Sequence, residues 1–168
     1  MNRPQPDEFG SFFKGYIDAV NDNPLNELEA QLTDFPRFLS SIPEQKHDFA
    51  YAEGKWTLKE VLGHMLDTER IMTYRLLRFS RKDSTVLPGF EEDDYVRNST
   101  YRHREFEGLI EEFKAVRQAN LFLFKSLSDE QLDLRGTASN NPLSVRALLF
   151  IIAGHLKHHK RVIQERYL

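Results

Sequence analysis

The chain has no cysteine. That excludes disulfide bonds, thiolate metal ligands and a cysteine nucleophile, leaving histidine and carboxylate to carry any metal chemistry. Neither sign of charge dominates: 23 Lys plus Arg stand against 26 Asp plus Glu, for a net charge of −3 and a pI near 6.1. With no global positive field, neither nucleic acid nor an anionic bilayer is expected as a partner. Long apolar runs are missing too. The longest, Ala147–Ala153, falls far short of the roughly 20 residues a membrane-spanning helix needs. The N-terminus shows no charged lead before an apolar stretch, so the expected location is the cytoplasm.

Glycine (8) and proline (7) are sparse among the 168 residues, and they punctuate segments whose apolar residues recur every three or four positions. The class reads as all-α. With 40% apolar and 12% aromatic residues, 13 of them Phe, there is enough material for one core in a single domain, 1–168. Phe9, Phe12, Phe13, Tyr16, Ile17 and Val20 mark an N-terminal helical segment before the Asn23-Pro24 restart. We read 1–22 as an extension and 23–168 as the core. The extension either covers one end of the core or joins a two-fold interface. Leu25, Leu28, Leu32, Phe35 and Leu39 continue in a second run, where Pro36 should kink or end the helix one turn early.

Trp56-Thr57-Leu58-Lys59-Glu60-Val61 carries a Thr-x-x-Glu capping box flanked by an apolar staple, and predicts a helix from Leu58 to about Ser80. Periodicity vanishes from Arg81 to Thr100, a long polar crossover containing Glu91-Glu92-Asp93-Asp94. A third long helix is expected from about Tyr101 to Leu127. Ser128 with Gln131 caps a short turn, Arg135 to Pro142 reads as a loop, and Ser144 caps the last helix. The simplest assembly is a four-helix bundle with a long crossover and an extra N-terminal helical segment.

His155 and His159 stand one turn apart. By the 100° step of a helix they share a face with Leu148, Ile152 and Ile163, so both rings project into the bundle. Two buried imidazoles need satisfied ring nitrogens, which either a divalent cation or hydrogen bonds in the core would provide. His158 points about 60° round the helix, toward solvent or the outer side of such a site, where it could replace one ligand. His64 heads a strip on the capped helix with Thr68 and Arg75, and would supply a third nitrogen. Three protein ligands with an open position is the pattern of a catalytic metal site. Asp67 could accept an imidazole N–H from behind. Arg75 lies about 16 Å along the helix axis from His64, too far for the metal, where it would pair with Glu69, Glu92 or Asp93 or hold a substrate carboxylate. His47 and His103 are expected at the surface.

KWTLKEVLGHMLDTERIMTYRLLRFSR, then LPGFEEDDYV, then AGHLKHHKRVIQERYL resemble in order the landmarks of the DinB superfamily, in its DinB_2 or YfiT-like branch. The resemblance implies a four-helix bundle holding a divalent metal, commonly nickel or zinc, on His64, His155 and His159. Relatives include enzymes that use low-molecular-weight thiols in S-transfer and isomerisation, and they are often dimeric, so a homodimer acting on a small molecule is expected. Where relatives show an aromatic residue followed by Asp, this chain has Phe90-Glu91. Glu91 and Tyr95 join Arg75 as candidate substrate contacts. The expected activity is a hydrolase or thiol S-transferase in which the metal activates water or a small thiol, against the alternative of a bundle that binds or senses metal without turnover.

Overall fold

The capping chemistry written in the sequence starts each long helix of the computed structural model, which describes residues 1–21 and 23–168. Asp22, at the expected border between extension and core, lies outside the described residues. The elements in order are α1 (Lys14–Asp18), α2 (Pro24–Ser40), α3 (Leu58–Ser80), α4 (Glu92–Arg97), α5 (Phe106–Lys125), α6 (Asp129–Leu132), β1 (Arg135–Ala138), β2 (Asn141–Ser144) and α7 (Val145–Arg166). Thr57 and Glu60 close both halves of the capping box on α3, Ser128 and Gln131 do the same on α6, and the Ser144 hydroxyl accepts the Ala147 N–H at the start of α7. Each bond satisfies a backbone donor that helix geometry leaves free.

Helix direction follows from which residues share a layer. One end of the core gathers Leu28, Met72, Leu76, Phe79, Leu121, Phe124 and the Val145–Ile152 half of α7. The other gathers Phe35, Leu39, Leu58, Leu62, Met65, Leu109, Phe113, Leu156 and Ile163. Hence α2 and α7 run one way, α3 and α5 the other. Helices α2 and α3 each pack on both α5 and α7. The neighbours α3 and α5 are therefore parallel, and the chain between them must travel back the length of the bundle.

That return path is not the featureless loop expected from its lost periodicity. Arg75, buried on α3, donates to the Pro88 carbonyl (2.9 Å) and to Ser139 Oγ (3.0 Å), Leu87 bridges Ala138, and the acidic run opens the short helix α4. Helix α5 starts at Phe106 rather than Tyr101, after a single 3-10 turn. The segment read as a loop at Arg135–Pro142 is a hairpin, with Ala138 paired to Asn141 and both Ser139 and Asn140 at positive φ, as a two-residue hairpin turn requires. Pro36 does not end α2, which runs on to Ser40. One missing N–H is offset there by burial of Phe35 and Leu39.

A polar knot ties all four long helices inside the core. Arg117 of α5, fully buried, donates to both carboxylate oxygens of Glu69 on α3 (2.8 and 2.9 Å). It also donates to the Leu28 carbonyl and to Gln31 Oε1 on α2. Gln31 in turn donates to the Ala153 carbonyl of α7 (2.9 Å).

The N-terminal segment lies along α7 and closes the first core layer, burying Phe9, Phe13, Ile17 and Val20; Phe12 alone of its phenylalanines faces outward. Glu8, also buried, accepts from the Ser144 hydroxyl at 2.7 Å. Gly154 makes the approach possible, since a Cβ there would sit 2.0 Å from the Tyr16 carbonyl oxygen. Among the described residues no helix is long and apolar enough to cross a membrane.

Candidate metal centre

Because α3 and α7 run antiparallel in contact, the second turn of α3 lies beside the middle of α7. His64 and His155 are buried there, and His159 is half-buried. His64 and His155, 91 positions apart, meet at 3.1 Å between their Nε2 atoms, and His159 Nε2 lies 3.0 Å from His155 Nε2. One ligand atom from each ring falls within 4.8 Å of the others.

This convergence is poor hydrogen bonding and good metal geometry. A neutral ring nitrogen carries either one hydrogen or one lone pair, so His155 Nε2 cannot make two full bonds to two other Nε2 atoms. A cation at 2.0–2.1 Å from each would accept all three lone pairs, and tetrahedral ligands at that range stand about 3.3 Å apart. The three residues fit the group that they would hold.

The rings are kept neutral, the form that binds metal. Burial lowers His64 to about 4, the nearby Asp93 charge opposing and His158 adding to the shift. Burial likewise lowers His159 to about 3, with smaller contributions from His64 and His158. His155 sits well below its ordinary value through burial, then through the neighbouring His159, His64 and His158. A pH dependence follows. An unfolded histidine takes up its proton near 6.5, whereas these rings resist it until the pH is far lower. The stability of metal-free protein is thus complete above pH 6.5 and falls as pH drops toward 4, by about 1.4 kcal/mol per pH unit for each such ring. Urea unfolding of metal-free protein at pH 7 and pH 5 measures this, and equal midpoints would show that the rings are not buried neutral.

Aromatic rings wall the cluster. Trp56 packs against His64 at 4.8 Å between centroids, and Tyr16 stands edge-on to His155 at 5.4 Å and meets His158 at the same distance. Burial raises the Tyr16 phenol, helped by the charge of Glu92. A cleft of about 370 Å³ runs past His158 and His159, with Asp93, Trp56 and Tyr167 among its walls.

The other expected contacts fall elsewhere. Asp67 meets no imidazole: it accepts the Tyr101 hydroxyl at 2.6 Å and lies 3.7 Å from Arg70, because the ring of Tyr101 packs over Gly63 one turn earlier. Among the described residues Arg75 has no carboxylate partner: its guanidinium holds the crossover at Pro88 and Ser139 and packs against the ring of Phe90. Glu91 stands exposed before α4 without capping it, and Tyr95 leans on Phe90 in a different surface cleft with Asp67 and Tyr101. It is Asp93 of the acidic run that reaches the histidines' cleft. His158 takes the flank position, half-exposed beside His159. His103 is exposed, and His47 is half-buried, stacked on Phe106 at 3.9 Å. Sequence reasoning missed the parts of Tyr16 and Trp56 in walling the site. Their signal was aromatic density beside a helix start, which reads equally well as core.

Residues 27–163 match the DinB superfamily. Two proteins of Oceanobacillus iheyensis, each named "Putative metal-dependent hydrolase", are similar to this chain. One is 23% identical over 80% of this chain and 78% of its own length, the other 24% identical over 95% and 92%. Among solved structures, YfiT from Bacillus subtilis, described as a probable metal-dependent hydrolase with an unusual four-helix bundle topology, aligns with a TM-score of 0.76. That alignment has 16% identity and covers 84% of this chain and 82% of that one. At such identity the likeness speaks for the fold.

Proposed function

The chain belongs to the DinB superfamily, and from that premise we propose that it is a metal-dependent hydrolase of small molecules. The observation carrying this reading is the meeting of His64, His155 and His159 at their Nε2 atoms. Relatives named "Putative metal-dependent hydrolase", matched over four-fifths or more of the chain, support it. A zinc or nickel ion, both suited to imidazole ligands, supplies a polarising charge for a carbonyl and a lowered pKa for water.

The remaining work falls to this chain's own side chains. The three rings would hold the ion, and Tyr16 and Trp56 shield two of them from solvent. Asp93 places a carboxylate in the wall of the cleft that His159 lines, where its oxygen is available to take the proton of an attacking water. A small thiol is the competing nucleophile, and it would have to arrive as substrate because the chain has no cysteine.

Elemental analysis of untagged protein, followed by assays on a panel of small esters and amides with and without added zinc or nickel, tests the reading. About one metal per chain and metal-dependent hydrolysis are expected. Conjugation of a small thiol to electrophiles without hydrolysis would replace this activity with S-transfer, and bound metal with neither activity would leave a metal-binding or sensing protein.

A further inference from the structure

The cleft beside the three histidines has a chemical character of its own. Of the three rings only His159 is part-exposed, so solvent and solutes reach the cluster along its flank, and that flank is the cleft. Its walls set aromatic and branched apolar side chains among polar ones in about equal measure. Trp56 reaches from the cleft to the face of His64, Val61 and Val162 flank it, and Tyr51 and Tyr167 meet edge-on at 5.2 Å. These walls are fixed in place. Tyr167 is buried and donates its hydroxyl to the Trp56 carbonyl at 2.8 Å, tying the end of α7 to the entry of α3. The charged side chains at the cleft, Lys55 and Asp93, are of opposite sign, so the side chains themselves add no second anion-binding centre to the one the metal would provide. The cleft's volume lies at the lower end of the range for small-molecule pockets, about 300–1,000 Å³, which suits a group of fragment size.

We propose that this cleft receives an aromatic or branched apolar group attached directly to the substrate's metal-reactive carbonyl. The substrate class is then an aryl or branched-acyl ester or amide of fragment size. The apolar group packs against Trp56 and Tyr51, which Tyr167 backs from behind, while the carbonyl lies toward the histidines. This assignment rests on the metal-dependent reading above, and its test is one in which the two can fail separately.

Hydroxamates chelate zinc through two oxygens and carry a variable group on the carbonyl, so they probe metal and cleft independently. Binding of acetohydroxamate and benzohydroxamate to the zinc-loaded full chain is measured by calorimetry, with their affinity ratio for free zinc as baseline. Benzohydroxamate is expected to bind the protein about tenfold tighter than that baseline predicts, as burial and stacking of one ring provide. Trp56→Leu removes a wall and Val162→Trp fills the space. In both the benzo-to-aceto ratio should fall to the baseline, and that ratio is insensitive to partial loss of metal or of folded protein. Binding of both probes at the baseline ratio, or a preference that survives both substitutions, overturns this inference alone. Failure of either hydroxamate to bind zinc-loaded protein overturns the hydrolase reading and this inference with it.

Discussion

Replacing Glu69 by alanine is expected to destabilise the bundle by about 3–5 kcal/mol, the loss seen when one partner of a buried ion pair is removed. The fully buried guanidinium of Arg117 would keep Gln31 and the Leu28 carbonyl but lose both oxygens that neutralise it, and burying an unpaired charge is far costlier than losing a hydrogen bond. The double substitution Glu69→Leu with Arg117→Met removes both charges and should recover most of that loss. Urea unfolding monitored by circular dichroism measures each variant, and a single variant no less stable than the double would show that the pair does not act as a buried unit.

His155→Ala should abolish stoichiometric metal binding. Structural zinc sites with four ligands contribute about 10–16 kcal/mol, so one ligand accounts for roughly 2.5–4 kcal/mol, or a loss on the order of 10²–10³-fold in affinity. His155 Nε2 contacts both other imidazoles, so its removal separates the remaining pair rather than trimming one corner. His103→Ala, at an exposed ring, provides the control and should bind as the parent does. Equilibrium titration with a chromophoric chelator reads both. Unchanged affinity in His155→Ala, with the helical signal retained, would remove this residue from the ligand set.

The parts of this molecule legible in its sequence were those governed by short-range rules. Caps at Thr57, Ser128 and Ser144 depend on residues three positions away, and the inward face of His155 and His159 follows from helical period alone. What escaped depends on contacts between distant segments. Asp67 looked free to back an imidazole, but Tyr101, 34 residues on, takes it. The hairpin at Arg135–Ser144 has strands of only four residues, too short to show alternation, and its turn uses Ser-Asn in place of the stronger Asn-Gly signal. Arg117 was visible in principle. It sits four residues after Phe113 and four before Leu121 on the apolar face of α5, a place where a charge demands a buried partner, but the partner, Glu69, lies 48 positions away on another helix.

The parallel pairing of α3 with α5 bears on how the chain reaches this structure. Adjacent antiparallel helices can zip from the turn between them, but two parallel ones must each be complete, and the segment joining them threaded back, before they meet. Joining His64 to His155 across 91 positions adds a second distant closure. High contact order slows folding, so this bundle should refold more slowly than an up-down bundle of equal length whose neighbours are joined by short turns. The cluster of imidazoles, made wholly of such late contacts, can exist only once the rest of the bundle has closed around it.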